Sequence, residues 1–251
     1  MTSDVPNREC SDDSLFDGHL ICSQHLNGYR FSQDSILLAH FFTPSPEENI
    51  LDLGTGCGII ALILAYRWPS IHLTGLEIQT DLLDLARSNV NRNNFADQVQ
   101  VVGGDLREVQ RLFASGSYDR VVCNPPYYRV GAARLNPDPE QAIARHELLA
   151  SLSDIVKALD WLLVAGGRAD FVYPADRTDE LLDTLNSRGF SPFCMREVFS
   201  YPAGSCRLVL VEAVKGGRVD LEVKPPLYVQ TGSGGEYTPE MAGFYKKRGQ
   251  N

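Results

Sequence analysis

The chain has 251 residues, 43% of them apolar, enough for one large α/β domain with a full core and a small appendage. A net charge of −9 argues against a protein that coats nucleic acid nonspecifically, though it leaves room for a local basic patch. Its six cysteines show no Cys-x-x-Cys spacing and its five histidines no zinc-ligand spacing, so the sequence predicts reduced thiols, a cytoplasmic location and no metal.

Met1 to Asp13 is polar and acidic, unlike a signal peptide, and residues 1–16 read as disordered. No apolar run reaches the ~18 residues of a membrane span. Asp17 to Leu26 alternates as a short strand, and Gly28-Tyr29-Arg30-Phe31 is a turn. Ser32 is placed to cap a helix, with Asp34 in its first turn and Ile36, Leu37, His40 and Phe41 at helical spacing. His40 reads as a satisfied core histidine rather than a ligand.

Asn49 to Leu53 is an apolar run with one acid inside it, Asp52, and it feeds Gly54-Thr55-Gly56-Cys57-Gly58 and a helix from Ile59 to Trp68. A buried strand opening into a glycine turn and a helix is how a nucleotide site begins. The third glycine of a dinucleotide fingerprint is absent, because position 59 is isoleucine. Gly54 and Gly56 let the backbone approach a ligand, and Asp52 at the strand mouth can hold an ammonium or a water. The next strand, Ile71 to Glu77, ends on a carboxylate able to accept both hydroxyls of a ribose. A helix follows from Thr80, and then a strand over Gln98 to Val102 leads through Gly103-Gly104 to Asp105-Leu106. Asp105 suits an adenine amino group, or equally the cap of a helix starting at Leu106.

Tyr118 to Val122 is a buried strand that ends in Cys123-Asn124-Pro125-Pro126-Tyr127. Two prolines supply no N–H and fix φ twice, so the bend offers acceptors only: the Asn124 side-chain oxygen and the Pro125 carbonyl. Both can receive hydrogens from one planar NH₂ group, with the Tyr127 ring as a flat wall. That is a grip for an exocyclic amine or an amide. Cys123 reads as core rather than nucleophile.

Tyr128 to Pro139 is a polar loop of a length that suits a substrate lid, and Arg145-His146-Glu147 follows it. Leu152, Ile155, Val156, Leu159 and Leu163 keep helical spacing up to a stop at Gly166-Gly167. Arg168 to Tyr173 is a strand, Asp176 caps a further helix, and Pro192 to Ser200 with Cys206 to Val214 form an antiparallel hairpin. The tail from Lys215 is glycine-rich and ends with the basic cluster Lys246-Lys247-Arg248.

Seven strands, a Gly-x-Gly-x-Gly turn, an acid ending the second strand and Asn-Pro-Pro-Tyr ending the fourth resemble the class I S-adenosylmethionine-dependent methyltransferases. The resemblance covers roughly residues 28–215. It implies a Rossmann-like α/β fold: a seven-stranded, mostly parallel sheet with a C-terminal antiparallel hairpin and helices on both faces. It divides the chain into an extension over 1–48, a methyltransferase domain over 49–215 and a tail over 216–251. Asp52, Gly54, Gly56 and Gly58 match the cofactor's glycine loop and methionine-tail site, Glu77 the ribose acid, and Asp105 with Leu106 the adenine site. Asn124, Pro125, Pro126 and Tyr127 match the catalytic motif of the branch that methylates amines and amides.

Narrower still, the segments Gly28 to Ser35 and Ala144 to Glu147 and the Gly-Glu-Tyr-Thr-Pro-Glu tail look like the bacterial tRNA (adenine-N6)-methyltransferases acting on valine tRNA beside the anticodon. That likeness adds Arg30, Phe31 and Ser32 to the cofactor-binding residues. It implies N6-methylation of a flipped adenine and a tRNA partner, and a monomer is expected. The acidic balance is a departure from what RNA binding needs, met by Arg129, Arg134, Arg145 and the basic tail. The rivals are a release-factor glutamine methyltransferase, an rRNA guanine-N2 enzyme and a binding module without turnover.

Overall fold

The computed structural model describes residues 9–28, 30–125 and 150–247. Pro126, Tyr127, the 128–139 loop, Arg145 to Glu147 and Arg248 lie outside the described residues.

An eight-stranded sheet organises the described residues, in the order β10-β8-β9-β7-β6-β3-β4-β5. Its parallel half is β3 (Asn49–Leu53), β4 (His72–Glu77), β5 (Val99–Gly103), β6 (Tyr118–Cys123) and β7 (Leu163–Pro174). The helices between them are α2 (Ile59–Arg67), α3 (Thr80–Arg92), α4 (Val109–Leu112) and α5 (Leu152–Leu162). After α6 (Thr178–Ser187) the chain forms the antiparallel pair β8 (Phe190–Phe199) and β9 (Cys206–Lys215). Two apolar cores sandwich the sheet: one gathers α1 (Gln33–Phe41) and α2, the other gathers α5 and α6. Strands buried on both faces explain why β3 and β6 read as continuous apolar runs.

The sheet has one strand more than the seven expected. β10 (Glu222–Tyr228) lies on the edge, parallel to β8, although it contains Pro225 and Pro226. Its register shifts between Lys224 and Leu227, where the two prolines have no N–H to give, and an edge is where a sheet tolerates that. The Gly166-Gly167 stop is also different. α5 ends at Leu162, β7 begins at once, and the two glycines lie inside the strand, beside a register shift between Tyr118 and Arg120 on β6.

The N-terminal segment departs most. Cys10 to Leu15, read as disordered, is β1, paired antiparallel to β2 (Leu20–His25). Its sequence, Cys-Ser-Asp-Asp-Ser-Leu, is too polar to announce a strand. Long-range partners hold it: Arg92 of α3 pairs with Asp12 at 2.7 Å, and Arg30 pairs with Asp13 at 2.7 Å. α1 is capped as expected, Ser32 Oγ accepting the Asp34 N–H at 3.3 Å. His40 Nδ1 meets the Ile36 carbonyl at 2.8 Å and its ring stacks on Phe244, while burial pushes its pKa down to about 3. It is a satisfied neutral histidine.

Candidate active site

Parallel pairing brings the strand mouths together. Asp52 pairs with Val122 on one side and Gly75 on the other, and Glu77 pairs with Gly103. Continuing the register sets Asn124 beside Gly54, and the Cys123 Sγ contacts the Leu53 carbonyl at 3.6 Å. Along β6, β3, β4 and β5 the mouths therefore present Asn124, Gly54, Glu77 and Asp105 side by side. Three interstrand steps of ~4.8 Å span about 14 Å. A small cleft of about 50 Å³ between β3, β4 and β5 is lined by Gly54, Leu76, Glu77, Ile78, Gly104, Asp105, Leu106 and Ala150. Four predicted residues thus meet in one cleft at the carboxyl edge of the sheet, where open α/β folds bind ligands.

The glycine turn is built from backbone geometry. Gly54 and Gly58 adopt φ of +79° and +90°, which side chains with a Cβ rarely do, and the Gly54 and Thr55 N–H groups both donate to the Leu76 carbonyl. Glu77 closes the turn from the next strand. Its Oε2 accepts the Gly56 N–H at 2.9 Å, and its Oε1 accepts those of Ile78 and Gln79 at 3.0 and 2.9 Å. Bonds to a charged acceptor are worth about 1.5–3 kcal/mol each, so Glu77 fixes the turn as well as ending β4.

Asp52 is fully buried. Its Oδ2 accepts the Thr55 hydroxyl at 2.6 Å, and its Oδ1 has no hydrogen-bond partner among the described residues. Burial pushes its carboxyl up to about 7; the Thr55 hydroxyl and the Ala61 backbone N–H work against the rise and the Glu77 carboxylate adds to it. Thr55 escaped the sequence reading, although its place three residues after Asp52 in a tight turn was the available signal. A Cβ on Gly75 would stand 2.9 Å from Thr55 Cγ2, so β4 must have glycine where the turn crosses it.

Asp105 fills the capping role expected of it. It accepts the Arg107 N–H at 2.8 Å, and its carboxylate is clasped by the Arg107 guanidinium, which holds it below the usual carboxylate range. It also lines the cleft. Arg30, Phe31 and Ser32 have other partners. Arg30 donates to Ser11 and Asp13, the Phe31 N–H donates to Gln24 Oε1 at 2.8 Å, and Ser32 caps α1. They fasten the N-terminal hairpin to α1, and, like Asp52, Gly56, Gly58, Asn124 and Pro125, they do not line the cleft. The hairpin in turn buttresses the glycine turn: the Asn89 Nδ2 donates to the Ser23 carbonyl at 3.0 Å and to the Cys57 carbonyl at 2.9 Å.

Asn124 is half-buried at the mouth of β6, and its Nδ2 donates to Ser35 Oγ at 3.0 Å. Cys123 is 2% exposed, and burial raises its thiol far above the ordinary value, so it supplies no nucleophile. Among the described residues no group of three His, Cys, Asp or Glu could hold a metal ion, and no helix is long and apolar enough to cross a membrane.

Residues 30–142 match the methyltransferase small domain. The chain is 31% identical over 178 residues to the tRNA1(Val) (adenine(37)-N6)-methyltransferase of Bacteroides fragilis, covering 71% of this chain and 74% of the relative. The chain belongs to the tRNA1(Val) (adenine(37)-N6)-methyltransferase family. A member of this family from Porphyromonas gingivalis is 32% identical over 158 residues, and the match spans 61% of its length and 61% of this chain. Among solved structures, a protein described as a predicted O-methyltransferase, Atu636 from Agrobacterium tumefaciens, superposes with a TM-score of 0.68 at 21% identity, covering 87% of this chain and 99% of that one. That likeness establishes the Rossmann-like fold. The family is the one the Asn-Pro-Pro-Tyr set pointed to.

Proposed function

We propose that this chain is an S-adenosylmethionine-dependent methyltransferase that methylates the exocyclic N6 amine of an adenine in tRNA, acting as a cytoplasmic monomer. One observation carries the reading: Asn124 and Pro125, an acceptor pair, stand at the mouth next to the Gly54 turn, with Glu77 and Asp105 at the following two mouths. The names of the Bacteroides and Porphyromonas relatives support adenine in tRNA as the acceptor.

The residues present fit the cofactor. It brings positive charge and a ribose, and this edge of the sheet offers a buried carboxyl, Asp52, whose Oδ1 lacks a partner, and a carboxylate, Glu77, at the cleft wall. Asp52, Gly54, Gly56 and Gly58 would hold its amino-acid end, Glu77 its ribose, and Asp105 with Leu106 its adenine. When bound, this group supplies an electrophilic methyl on sulfur.

The rest of the chemistry belongs to the chain. Adenine's amine is a poor nucleophile because its lone pair is delocalised into the ring. The Asn124 side-chain oxygen and the Pro125 carbonyl accept the two amine hydrogens, favour a lone pair turned out of conjugation, and stabilise the charge that grows on nitrogen. Tyr127 is the stacking wall in this reading, and Pro126 stiffens the bend. Alignment supplies much of the rate, and the acidic methylated amine gives up its proton without a dedicated base.

The test is nucleoside mass spectrometry of total tRNA incubated with protein and cofactor. Wild type is expected to produce N6-methyladenosine. Asn124→Ala is expected to be slower by about 10³-fold with normal folding. Methylated guanine in its place, or transfer to a release-factor glutamine and not to tRNA, would overturn the assignment.

A further inference from the structure

A cavity of about 450 Å³ lies where the ends of α1 and α2 meet the C-terminal tail, and it shares no residue with the cleft. Tyr66, Trp68 and Phe244 give it aromatic walls, and Arg67, Lys246 and Lys247 give it charge. We propose that this cavity holds a phosphate and a base of the tRNA strand that flanks the target adenine. The proposal rests on the tRNA reading above and adds a second contact to it.

The charge here runs against the balance of the chain, which is −9. Elsewhere, Arg30, Arg87, Arg92 and Arg111 each face a carboxylate. Lys246 and Lys247 are exposed, and neither pairs with a carboxylate among the described residues. Among the described lining residues Glu240 is the one carboxylate, and both its oxygens accept from Arg196, at 2.6 and 2.9 Å. Arg67 is held in place: its Nη1 donates to the Ala39 carbonyl at 2.6 Å, and its guanidinium carbon lies 5.6 Å from the Trp68 ring centroid. Three cations around a spoken-for acid draw an anion. The rings separate RNA from an acidic peptide, because a base stacks on a flat face and a carboxylate side chain does not. Phe16 holds one of those faces steady. It stacks on Tyr66 at 4.5 Å and is 2% exposed, on a backbone with φ of +55° that a bulky residue rarely adopts.

The position suits a strand that also reaches Asn124. α2 begins at the glycine turn, and its nine residues carry the chain about 14 Å to Arg67. The tail runs beside α1 over a similar stretch. At the start of α1, Gln33 Nε2 donates to the Tyr237 hydroxyl at 2.6 Å, and Ser35 meets Asn124. The tail then forms α7 (Pro239–Gly243), and just after it Phe244 stacks on His40 in the last turn of α1, with ring centroids 4.5 Å apart. The tail thus links the mouth of β6 to the cavity. At ~3.4 Å or more per nucleotide, about four nucleotides cover that distance.

The double variant Lys246→Ala with Lys247→Ala is expected to raise the Kd for tRNA by about tenfold to a hundredfold in filter binding, with Tm and the Kd for S-adenosylmethionine close to wild type. The slope of log K against log salt is expected to become shallower by about 1.4, two contacts at ~0.7 each on a single strand. In turnover the loss falls on KM for tRNA and not on kcat. Lys157→Glu makes the same change in net charge at an exposed site on α5, across the sheet, and is expected to move the Kd by less than about threefold. UV cross-linking of bound tRNA, read by mass spectrometry, is expected to mark Tyr66 or Trp68. Equal effects of the double variant and Lys157→Glu, or cross-links confined to other segments, would overturn the proposal. So would displacement of that cross-link by adenosine monophosphate or polyglutamate more readily than by unlabelled tRNA. If wild type binds tRNA in this way and methylates no adenine, the proposed function fails and the cavity contact stands. If wild type methylates tRNA and the double variant matches it in Kd and KM, the contact fails and the function stands.

Discussion

Buried acids occur in two places in this molecule, and they are treated in opposite ways. On β6 the Arg120 guanidinium, 2% exposed, gathers Glu48 at 2.7 Å, Asp170 at 2.6 Å and Glu212 at 3.1 Å. Arg168 adds a second cation to Glu212 at 2.9 Å. At the mouths of β3 and β4, Asp52 and Glu77 are held by a hydroxyl and three backbone N–H groups, and no cationic side chain among the described residues pairs with Asp52. The first cluster has its cations and reads as structure, although it too holds an unpartnered oxygen, Asp170 Oδ1, and burial raises the Asp170 carboxyl to about 7. The second leaves an acid without its counter-charge, which suits a cationic ligand. Both kinds of carboxyl are buried, so burial alone would not have separated them; the partner does.

The largest effect expected from this contrast is in the complete cluster. Arg120→Met takes the shared cation from three buried carboxyls, of which only Glu212 keeps another in Arg168, and is expected to cost about 3–5 kcal/mol of stability by urea denaturation, while cofactor affinity of the folded fraction stays within about twofold. A variant that lost affinity and kept stability would reverse the two assignments.

Next comes Glu77→Gln, which weakens the acceptor of three N–H bonds and, in the proposed reading, of the ribose. Its cofactor Kd is expected to rise about tenfold or more by calorimetry, with a smaller loss of stability.

Asp52→Asn follows, and its sign depends on pH. The folded carboxyl is raised from 3.8 to about 7, so the protonated acid favours the folded state. That contribution is fully present below pH ~4, declines as pH rises toward 7, and is gone above it. Without cofactor, Asp52→Asn is therefore expected to flatten the fall of Tm between pH 4 and 7 and to be more stable than wild type at about pH 8.

The smallest effect is assigned to Arg30→Ala. Its guanidinium pairs with a half-exposed Asp13, so the expected cost is ~1 kcal/mol or less, with cofactor affinity within about threefold of wild type.

Much of the site was legible because it follows from local chemistry. Asp52, the glycines, Glu77 and Asn124 fall at strand ends that apolar runs mark out, and parallel pairing then collects them. Asp105 was left with two readings, and the structure gives it both the cap and a place in the cleft. What escaped depended on distant partners. β1 looks disordered because its stability comes from Arg92 and Arg30, which are far along the chain or beyond a turn. β10 was hidden by two prolines that only a sheet edge accepts. Ser35 was quoted within a motif, but nothing local says that a serine in α1 meets the end of β6, a separation of 89 residues. The eighth strand and the hairpin change how the site is braced and leave its order of mouths as read.

The measurement that bears most directly on the account is calorimetric titration of S-adenosylmethionine into the protein at pH 6 and pH 8, in two buffers of different ionisation enthalpy. If the uncompensated Asp52 receives positive charge, affinity is higher at pH 8, a proton is released to the buffer at pH 6, and both effects vanish in Asp52→Asn. Affinity independent of pH, with no proton released and the same Kd in Asp52→Asn, would contradict it.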